Sequence, residues 1–198
     1  MLRSSPVSVV LALICIGLAI APDSASALLA FDRQAILDGE LWRIWTGHLV
    51  HFSVQHAVID IASLFLLSRI VELNIGRSQL INFIVSGATL ISVAMLLFFP
   101  EMAVYRGSSG ILTAMGVCAG GILWKEDIRT KVVLIICGAI LILKTWLDMT
   151  ESGSFASSLP AGVSVAWQVH LLGALLGAGS TGYFFIAKYL RRGADSMN

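Results

Sequence analysis

Charged side chains are scarce in this sequence. They make up 13% of its 198 residues, about half the usual share of a soluble domain. Neither sign is in excess, because 13 Lys and Arg are balanced by 12 Asp and Glu, for a formal net charge of +1. A disordered tail needs a high charge content, and a nucleic-acid-binding face needs a basic excess. Both classes are therefore excluded, together with an ordinary cytosolic enzyme.

Cysteine is rare as well. Cys15, Cys118 and Cys137 all lie in apolar runs, so we expect them to pack between helices and not to form a disulfide framework. What the chain has in abundance is apolar surface, with 57% hydrophobic residues and a mean hydropathy of +0.87. The length allows one domain, so the apolar excess must face a lipid bilayer. We expect an integral membrane protein.

Six apolar runs are candidates for membrane spans. A membrane helix needs about 20 mostly apolar residues, because roughly 30 Å of hydrocarbon is crossed at about 1.5 Å per residue. Backbone groups in lipid need internal partners, so each span should be a helix. The fifth run is the weakest, since it is short and carries Lys144. The sequence predicts an all-α, six-transmembrane-helix bundle in one domain over residues 1–198, with spans at about 6–22, 49–68, 79–99, 108–124, 132–147 and 166–187.

Basic residues predict the orientation of these spans. Both termini share one side with the second and fourth loops, and that side carries nine Lys and Arg residues against three on the other. We therefore expect both termini in the cytoplasm. An alternative is that Arg3, the first apolar run and Ser24–Ala27 form a cleaved secretory signal, which leaves five spans in the same orientation. The outward loops are residues 23–48, 100–107 and 148–165, the last with an exposed Ser152–Ser158 stretch.

Polar side chains cluster at one end of the even-numbered spans, where they cost free energy and are functional candidates. Because the second, fourth and sixth spans all run inward from the outer side, their first turns lie at the same depth. Serines and histidines that are far apart in sequence therefore share one membrane layer. These residues are His48, His51, His56 and Asp60 in the second span, Gly107-Ser108-Ser109-Gly110 at the start of the fourth, and His170 in the sixth.

Ser109 and His170 have the chemistry of a nucleophile and its base. A serine hydroxyl needs a base within hydrogen-bond reach, and neutral histidine suits neutral pH. A serine in the first turn of a helix also lies beside free backbone N–H groups and the positive end of the helix dipole, which suit an oxyanion. His56 can add a side-chain donor. No acid is near His170 in sequence, so we expect a dyad, with Asp148 and Glu151 as distant candidates for a third member.

Each of these features also has a structural explanation. A Gly-Ser-Ser-Gly run at a helix start is typical of an N-cap, and a single histidine near a helix end often anchors the helix at the interface. Gly173 and Gly177 are four residues apart, a spacing that allows close helix packing. Asp60 is either a buried neutral acid or a partner of His56 one turn earlier.

Two other uses of the polar residues are weaker. Histidines with Asp60 are zinc ligand types, but His51 and His56 are five residues apart, which does not align them on one helix face, and no His-Glu-x-x-His run occurs. We therefore expect no metal and no cofactor. A small transporter or channel is disfavoured because the polar residues cluster at one end and do not follow a pathway.

Five segments together resemble the rhomboid intramembrane serine proteases, over residues from about 40 to 182. The segments are Trp42-Arg43, His51–His56, Glu72, Gly107-x-Ser109-Gly110 and His170-x-x-Gly173-x-x-x-Gly177. The order and spacing of the last three are specific. The resemblance implies that Ser109 is the nucleophile and His170 the base, with Gly110, Gly173 and Gly177 at helix contacts.

The resemblance also implies an oxyanion hole made by His56 and the N–H groups of Ser108 and Ser109, and it places Trp42-Arg43 in a first-loop structure at the membrane surface. Many rhomboids carry asparagine where this chain has Asp60, so Asp60 is a further candidate for the hole. A carboxylate there would repel the developing charge, whereas a protonated acid can donate. We hypothesise a neutral Asp60, for which Asp60→Asn keeps or raises activity.

Within that family the chain is most similar to rhombosortases, small bacterial members with six spans. The features are Thr46–His51, the Leu143-Lys144-x-Trp146 run and Gly162–Val165. They imply an inner-membrane endopeptidase, with its site toward the periplasm, that cleaves Gly-Gly C-terminal tails from membrane-anchored exported proteins. The rival function is a catalytically inactive rhomboid-like protein that binds transmembrane helices, which Asp60 favours.

Overall fold

The computed structural model describes residues 4–150 and 166–195, with residues 185–195 described by their backbone alone. The predicted exposed stretch Ser152–Ser158, the candidate acid Glu151 and the Gly162–Val165 run lie outside the described residues. In chain order the elements are α1 (Pro6–Ala19), α2 (Asp23–Leu29), β1 (Phe31–Asp32), α3 (Arg33–Leu37), α4 (Arg43–Thr46), α5 (Val54–Ile75), α6 (Arg77–Phe98), β2 (Val104–Tyr105), α7 (Ser109–Leu123), α8 (Ile128–Met149) and α9 (Trp167–Asp195).

The described residues are mostly helical, as predicted, and a helix occupies each of the six predicted apolar segments. Two of these helices, α6 and α8, are long and apolar enough to cross a membrane by length and composition. α1 and α7 are shorter apolar helices. The count of six membrane spans therefore stays a prediction.

Side-chain caps move two helix starts away from the predicted bounds. The hydroxyl of Ser53 accepts the His56 N–H at 3.2 Å, so α5 begins at Val54 and not at residue 49. Residues 47–49 form a turn, and an irregular segment then leads into the helix. The carboxylate of Asp127 accepts the Thr130 N–H at 2.8 Å, so α8 begins earlier than expected. In both cases the cap satisfies a backbone donor that the first turn leaves free.

Glu72 holds α1 against α5. Its buried carboxylate accepts the Val7 N–H at 3.2 Å, the Ser8 N–H at 2.9 Å and the Ser8 hydroxyl at 2.6 Å. These N–H groups belong to the first turn of α1, where no intrahelical acceptor is available and the helix dipole favours an anion. Arg69 adds a hydrogen bond to the Ser5 hydroxyl at 2.6 Å. The N-terminal helix is therefore fastened to the C-terminal half of α5.

Three helices, α5, α7 and α9, run parallel, and their first turns lie at one end of the bundle. The sequence predicted this arrangement from the order of the spans. Residue numbers rise together along both members of each helix pair, which only parallel neighbours do. The contacts are Gly110–Val169, Ala114–Gly177 and Gly121–Thr181 between α7 and α9, and Asp60–Ser108 and Leu67–Gly116 between α5 and α7.

The first loop is a folded unit that hydropathy did not reveal. β1 pairs antiparallel with β2, with Phe31 opposite Tyr105, so the loop is joined to the segment just before α7. The buried Arg43 guanidinium donates to the carbonyls of Ala27 and Ala30 at 2.8 and 2.9 Å, while the half-exposed Trp42 donates to a neighbouring carbonyl. Trp42 and Arg43 thus lie in a first-loop structure, as the resemblance implied.

Candidate active site

The loop before α7 places Ser109 at the start of that helix. Gly107 has a φ of +140°, a left-handed conformation that L side chains rarely adopt. A Cβ there would also meet the His56 ring at 3.0 Å. Ser108 is the N-cap residue, yet its hydroxyl makes no cap hydrogen bond. The first intrahelical bond runs from the Leu112 N–H to the Ser108 carbonyl, so the Ser109 N–H precedes the helical ladder.

The Ser109 hydroxyl lies beside Tyr105, a residue that the sequence analysis did not single out. The two oxygens are 3.5 Å apart. Burial raises the pKa of the Tyr105 phenol above its usual value, so the phenol stays neutral and can donate or accept. The β1–β2 pairing, which the apolar pattern does not encode, helps to hold Tyr105 at this position.

Asp60 is the centre of a buried polar cluster, which we call the Asp60 cluster, formed with Ser108, His51 and His56. Its Oδ2 accepts the Ser108 N–H and the Ser108 hydroxyl, each at 3.0 Å. The Nε2 atoms of His51 and His56 lie 3.2 and 3.5 Å from the same oxygen. Oδ2 thus accepts two hydrogen bonds from Ser108 and lies beside two imidazole nitrogens.

Oδ2 acts as an acceptor in this geometry, and the hypothesis of a neutral Asp60 that donates through its other oxygen stays a prediction. The geometry also bears on Ser108, whose N–H is engaged by Asp60 and would have to leave it to bind an oxyanion. The oxyanion-hole roles of Ser108 and Asp60 therefore stay predictions. His56 is better placed, since its side chain is 18% exposed and lies against Gly107.

His170 is buried near the start of α9, and its ring is in contact with an acid from α8. The Nδ1 atom lies 3.4 Å from Asp148 Oδ2, and the same oxygen is 2.5 Å from Lys144 Nζ. By sequence position Asp148 was only a distant candidate for a partner of His170. The signal available in the sequence was the spacing of Lys144 and Asp148, which are four residues apart and so share a helix face.

Small residues bring Ser109 and His170 to adjacent positions on touching helices. A Cβ on Gly110 would meet Val169 Cγ1 at 2.3 Å, and one on Gly173 would meet the Gly110 carbonyl oxygen at 2.2 Å. Ser109 precedes Gly110, and His170 follows Val169, so the predicted pair flanks this contact. Within residues 4–150 and 166–184 no hydrogen bond joins the Ser109 hydroxyl to His170. The roles of both residues stay predictions.

His48 lies outside the Asp60 cluster, although it was predicted in the same layer. Its Nε2 is 3.0 Å from the Ser92 hydroxyl, and its ring packs edge-on against Tyr105 at 5.5 Å. Burial lowers the pKa of His48 to about 4, so it is neutral at physiological pH. His48 therefore supports the loop that carries Tyr105 and is not a candidate base.

The chain is similar in sequence to known proteins. The family model described as Rhomboid domain matches residues 38–187. Rhomboid protease GlpG of Salmonella paratyphi A is 25% identical over 187 residues, which are 88% of this chain and 62% of that protein. The chain thus spans about three fifths of the length of this curated relative.

Proposed function

Because the chain belongs to the rhomboid family, whose members are integral membrane proteins, we propose that it is an intramembrane serine endopeptidase. The observation that carries this proposal is the contact of Gly110 with Val169 and Gly173. The chain neighbours of these contact residues are Ser109, at the start of α7, and His170, near the start of α9, which supports pairing of the two side chains. The GlpG relative is a rhomboid protease by name, which supports the same reaction class.

The proposed reaction proceeds through an acyl-enzyme. His170 takes the proton of the Ser109 hydroxyl as Ser109 Oγ attacks the carbonyl carbon of the scissile peptide bond. The tetrahedral intermediate collapses, the C–N bond breaks, and the leaving amine takes the proton from His170. Water, deprotonated by His170, then attacks the acyl-enzyme, which releases the new carboxylate and restores the Ser109 hydroxyl.

The oxyanion of the intermediate needs donors that are already in place. We assign this role to the Ser109 N–H, which has no intrahelical acceptor, and to His56 across Gly107. The Ser108 N–H is a third donor once it is released from Asp60. The positive end of the α7 dipole favours negative charge at the same point.

We infer a membrane-anchored protein as the substrate, because the site lies in a chain of lipid-facing helices. The rhombosortase-like motifs narrow this to C-terminal Gly-Gly tails of exported proteins. We place the six predicted spans of this chain in a bacterial inner membrane, and the basic-residue count supports cytoplasmic termini with the site toward the periplasm. The rival is a catalytically inactive protein that binds transmembrane helices, favoured by the absence of a Ser109–His170 hydrogen bond among the described residues.

Labelling with a fluorophosphonate tests the proposal without knowledge of the substrate. We expect the purified chain to be labelled, Ser109→Ala to be unlabelled, and the neighbouring Ser108→Ala variant to keep a labelled serine. Membrane insertion should be equal in all three. No labelling of the wild type would favour the helix-binding rival. If labelling were lost in Ser108→Ala and kept in Ser109→Ala, the nucleophile would be Ser108 and our assignment of Ser109 would be wrong.

The substrate class needs a separate experiment. Co-expression with an exported protein that ends in Gly-Gly, an apolar stretch and basic residues should yield a shortened product with the wild type and none with Ser109→Ala. A matched tail with Gly-Gly changed to Leu-Leu is the control. Equal cleavage of both tails would leave the protease proposal intact and refute the Gly-Gly specificity.

A further inference from the structure

Asp148 is a buried acid in the last turn of the apolar helix α8, and its burial requires an explanation. Its side chain is 1% exposed, whereas its partner Lys144 is 45% exposed. Asp148 Oδ2 faces both Lys144 Nζ at 2.5 Å and His170 Nδ1 at 3.4 Å. A buried carboxylate is expensive unless charged or polar partners offset its desolvation.

The need to compensate the positive charge of Lys144 does not explain why Asp148 is buried. A lysine in a membrane helix can extend its long side chain toward water, and Lys144 is already nearly half exposed. A carboxylate that served Lys144 alone would be most stable beside it at the exposed surface. Asp148 instead points inward, from α8 to α9, where its Oδ2 lies 3.4 Å from His170 Nδ1. That buried nitrogen makes no hydrogen bond in the described part of the chain, so the contact with Asp148 is close but is not a formed hydrogen bond.

We propose, on the basis of the proposed function, that Asp148 is a positioning residue for His170, so that the site is a Ser-His-Asp arrangement in which Lys144 holds the carboxylate. In this role the 3.4 Å contact shortens in the substrate complex to a hydrogen bond from the His170 Nδ1–H to Asp148, which fixes the tautomer and leaves the Nε2 lone pair free to act as the base for Ser109. The Asp148 charge also stabilises the imidazolium that forms when His170 takes the proton. No proton passes to Asp148 in either step.

The test measures fluorophosphonate labelling at several reagent concentrations, which separates the maximal labelling rate kinact from the binding constant KI. In Asp148→Asn, we expect kinact to fall about 100-fold or more, since loss of an orienting acid costs up to about 10⁴-fold in serine proteases. KI should change less than about twofold, because Asp148 does not touch the reagent. Asp148→Glu keeps a carboxylate and should recover part of kinact.

A charge-neutral double variant separates positioning from charge compensation. In Lys144→Met with Asp148→Asn, no charge is left unpaired, so a chain that needed Asp148 only to offset Lys144 regains the wild-type kinact. If Asp148 positions His170, the double variant stays as slow as Asp148→Asn. This pair also remains informative if Asp148→Asn alone fails to fold.

The outcomes keep the two proposals apart. An unlabelled wild type overturns the protease function itself. A wild type that is labelled at Ser109, with kinact unchanged in Asp148→Asn or restored in the double variant, overturns the role of Asp148 and leaves the Ser109–His170 dyad. If Asp148→Asn raised KI and left kinact unchanged, the reagent would bind more weakly without reacting more slowly. That result would also refute a positioning role.

Discussion

Substitution of Gly173 by alanine is the sharpest test of how the two helices bring Ser109 and His170 together. A Cβ at residue 173 would lie 2.2 Å from the Gly110 carbonyl oxygen, about 1.2 Å short of an ordinary contact at 3.4 Å. The obstacle is backbone, so no side chain can rotate away. α7 and α9 must separate by about 1 Å at the level of the site.

The expected cost of this separation appears in both activity and stability. A displacement of about 1 Å between reacting groups lowers the rate about 100-fold, and overpacking of this kind costs about 1–3 kcal/mol. The Gly179→Ala variant is the matched control, because a Cβ at residue 179 of the same helix meets no atom within 4 Å. Alanine favours a helix by up to about 1 kcal/mol over glycine, so the control should be at least as stable as the wild type.

The assay combines the fluorophosphonate labelling rate with thermal unfolding in one detergent. Gly173→Ala should be labelled about 100-fold more slowly and unfold at a lower temperature, while Gly179→Ala keeps the wild-type rate. A Gly173→Ala variant labelled at the wild-type rate would refute the reasoning, because the helices could then part without moving the two side chains from each other.

Three further predictions concern the polar residues around the site. Asp60→Leu removes the acceptor of the buried Ser108 N–H and hydroxyl, which should lower the free energy of unfolding by about 1–3 kcal/mol for each unpaired group. Asp60→Asn keeps an oxygen acceptor and should stay active. Equal melting temperatures of the two variants would contradict this. Glu72→Gln weakens the charge-assisted bonds to α1, including the 2.6 Å bond from Ser8, and should lower stability by about 1.5–3 kcal/mol, seen as early proteolysis near residue 20. The lowered pKa of His48, about 4, means that the unfolded state binds the proton first, so stability should fall by roughly 3 kcal/mol as pH drops from 6.5 to 4; His48→Gln should melt with a shallower pH dependence.

The sequence predicted the helices well where one physical rule dominates. Removal of apolar residues from water determines where α6 and α7 lie, and their observed bounds differ from the predicted spans by no more than two residues. The order of the spans was also enough to predict that α5, α7 and α9 begin at the same end. The helix starts at Val54 and Ile128 were missed because side-chain caps, which hydropathy ignores, determine them.

The site was predictable in its residue types and not in its contacts. The GxSG and HxxG motifs led to Ser109 and His170. The contact between Asp148 and His170 depends on how α8 packs against α9, which the local sequence does not encode. Tyr105 was missed for a similar reason, since its place beside the serine follows from pairing with Phe31 far earlier in the chain.

The short strand pair has a consequence for how the chain matures during synthesis. One strand is made before α5 and the other after α6, and the pairing that holds the segment with Tyr105 ahead of Ser109 forms only when both are present. A ribosome that has synthesised the chain through α6 has supplied one strand of this pair and not Ser109. Two fragments divided between α6 and β2 would each lack an ordered nucleophile loop, and only their reassembly would restore it.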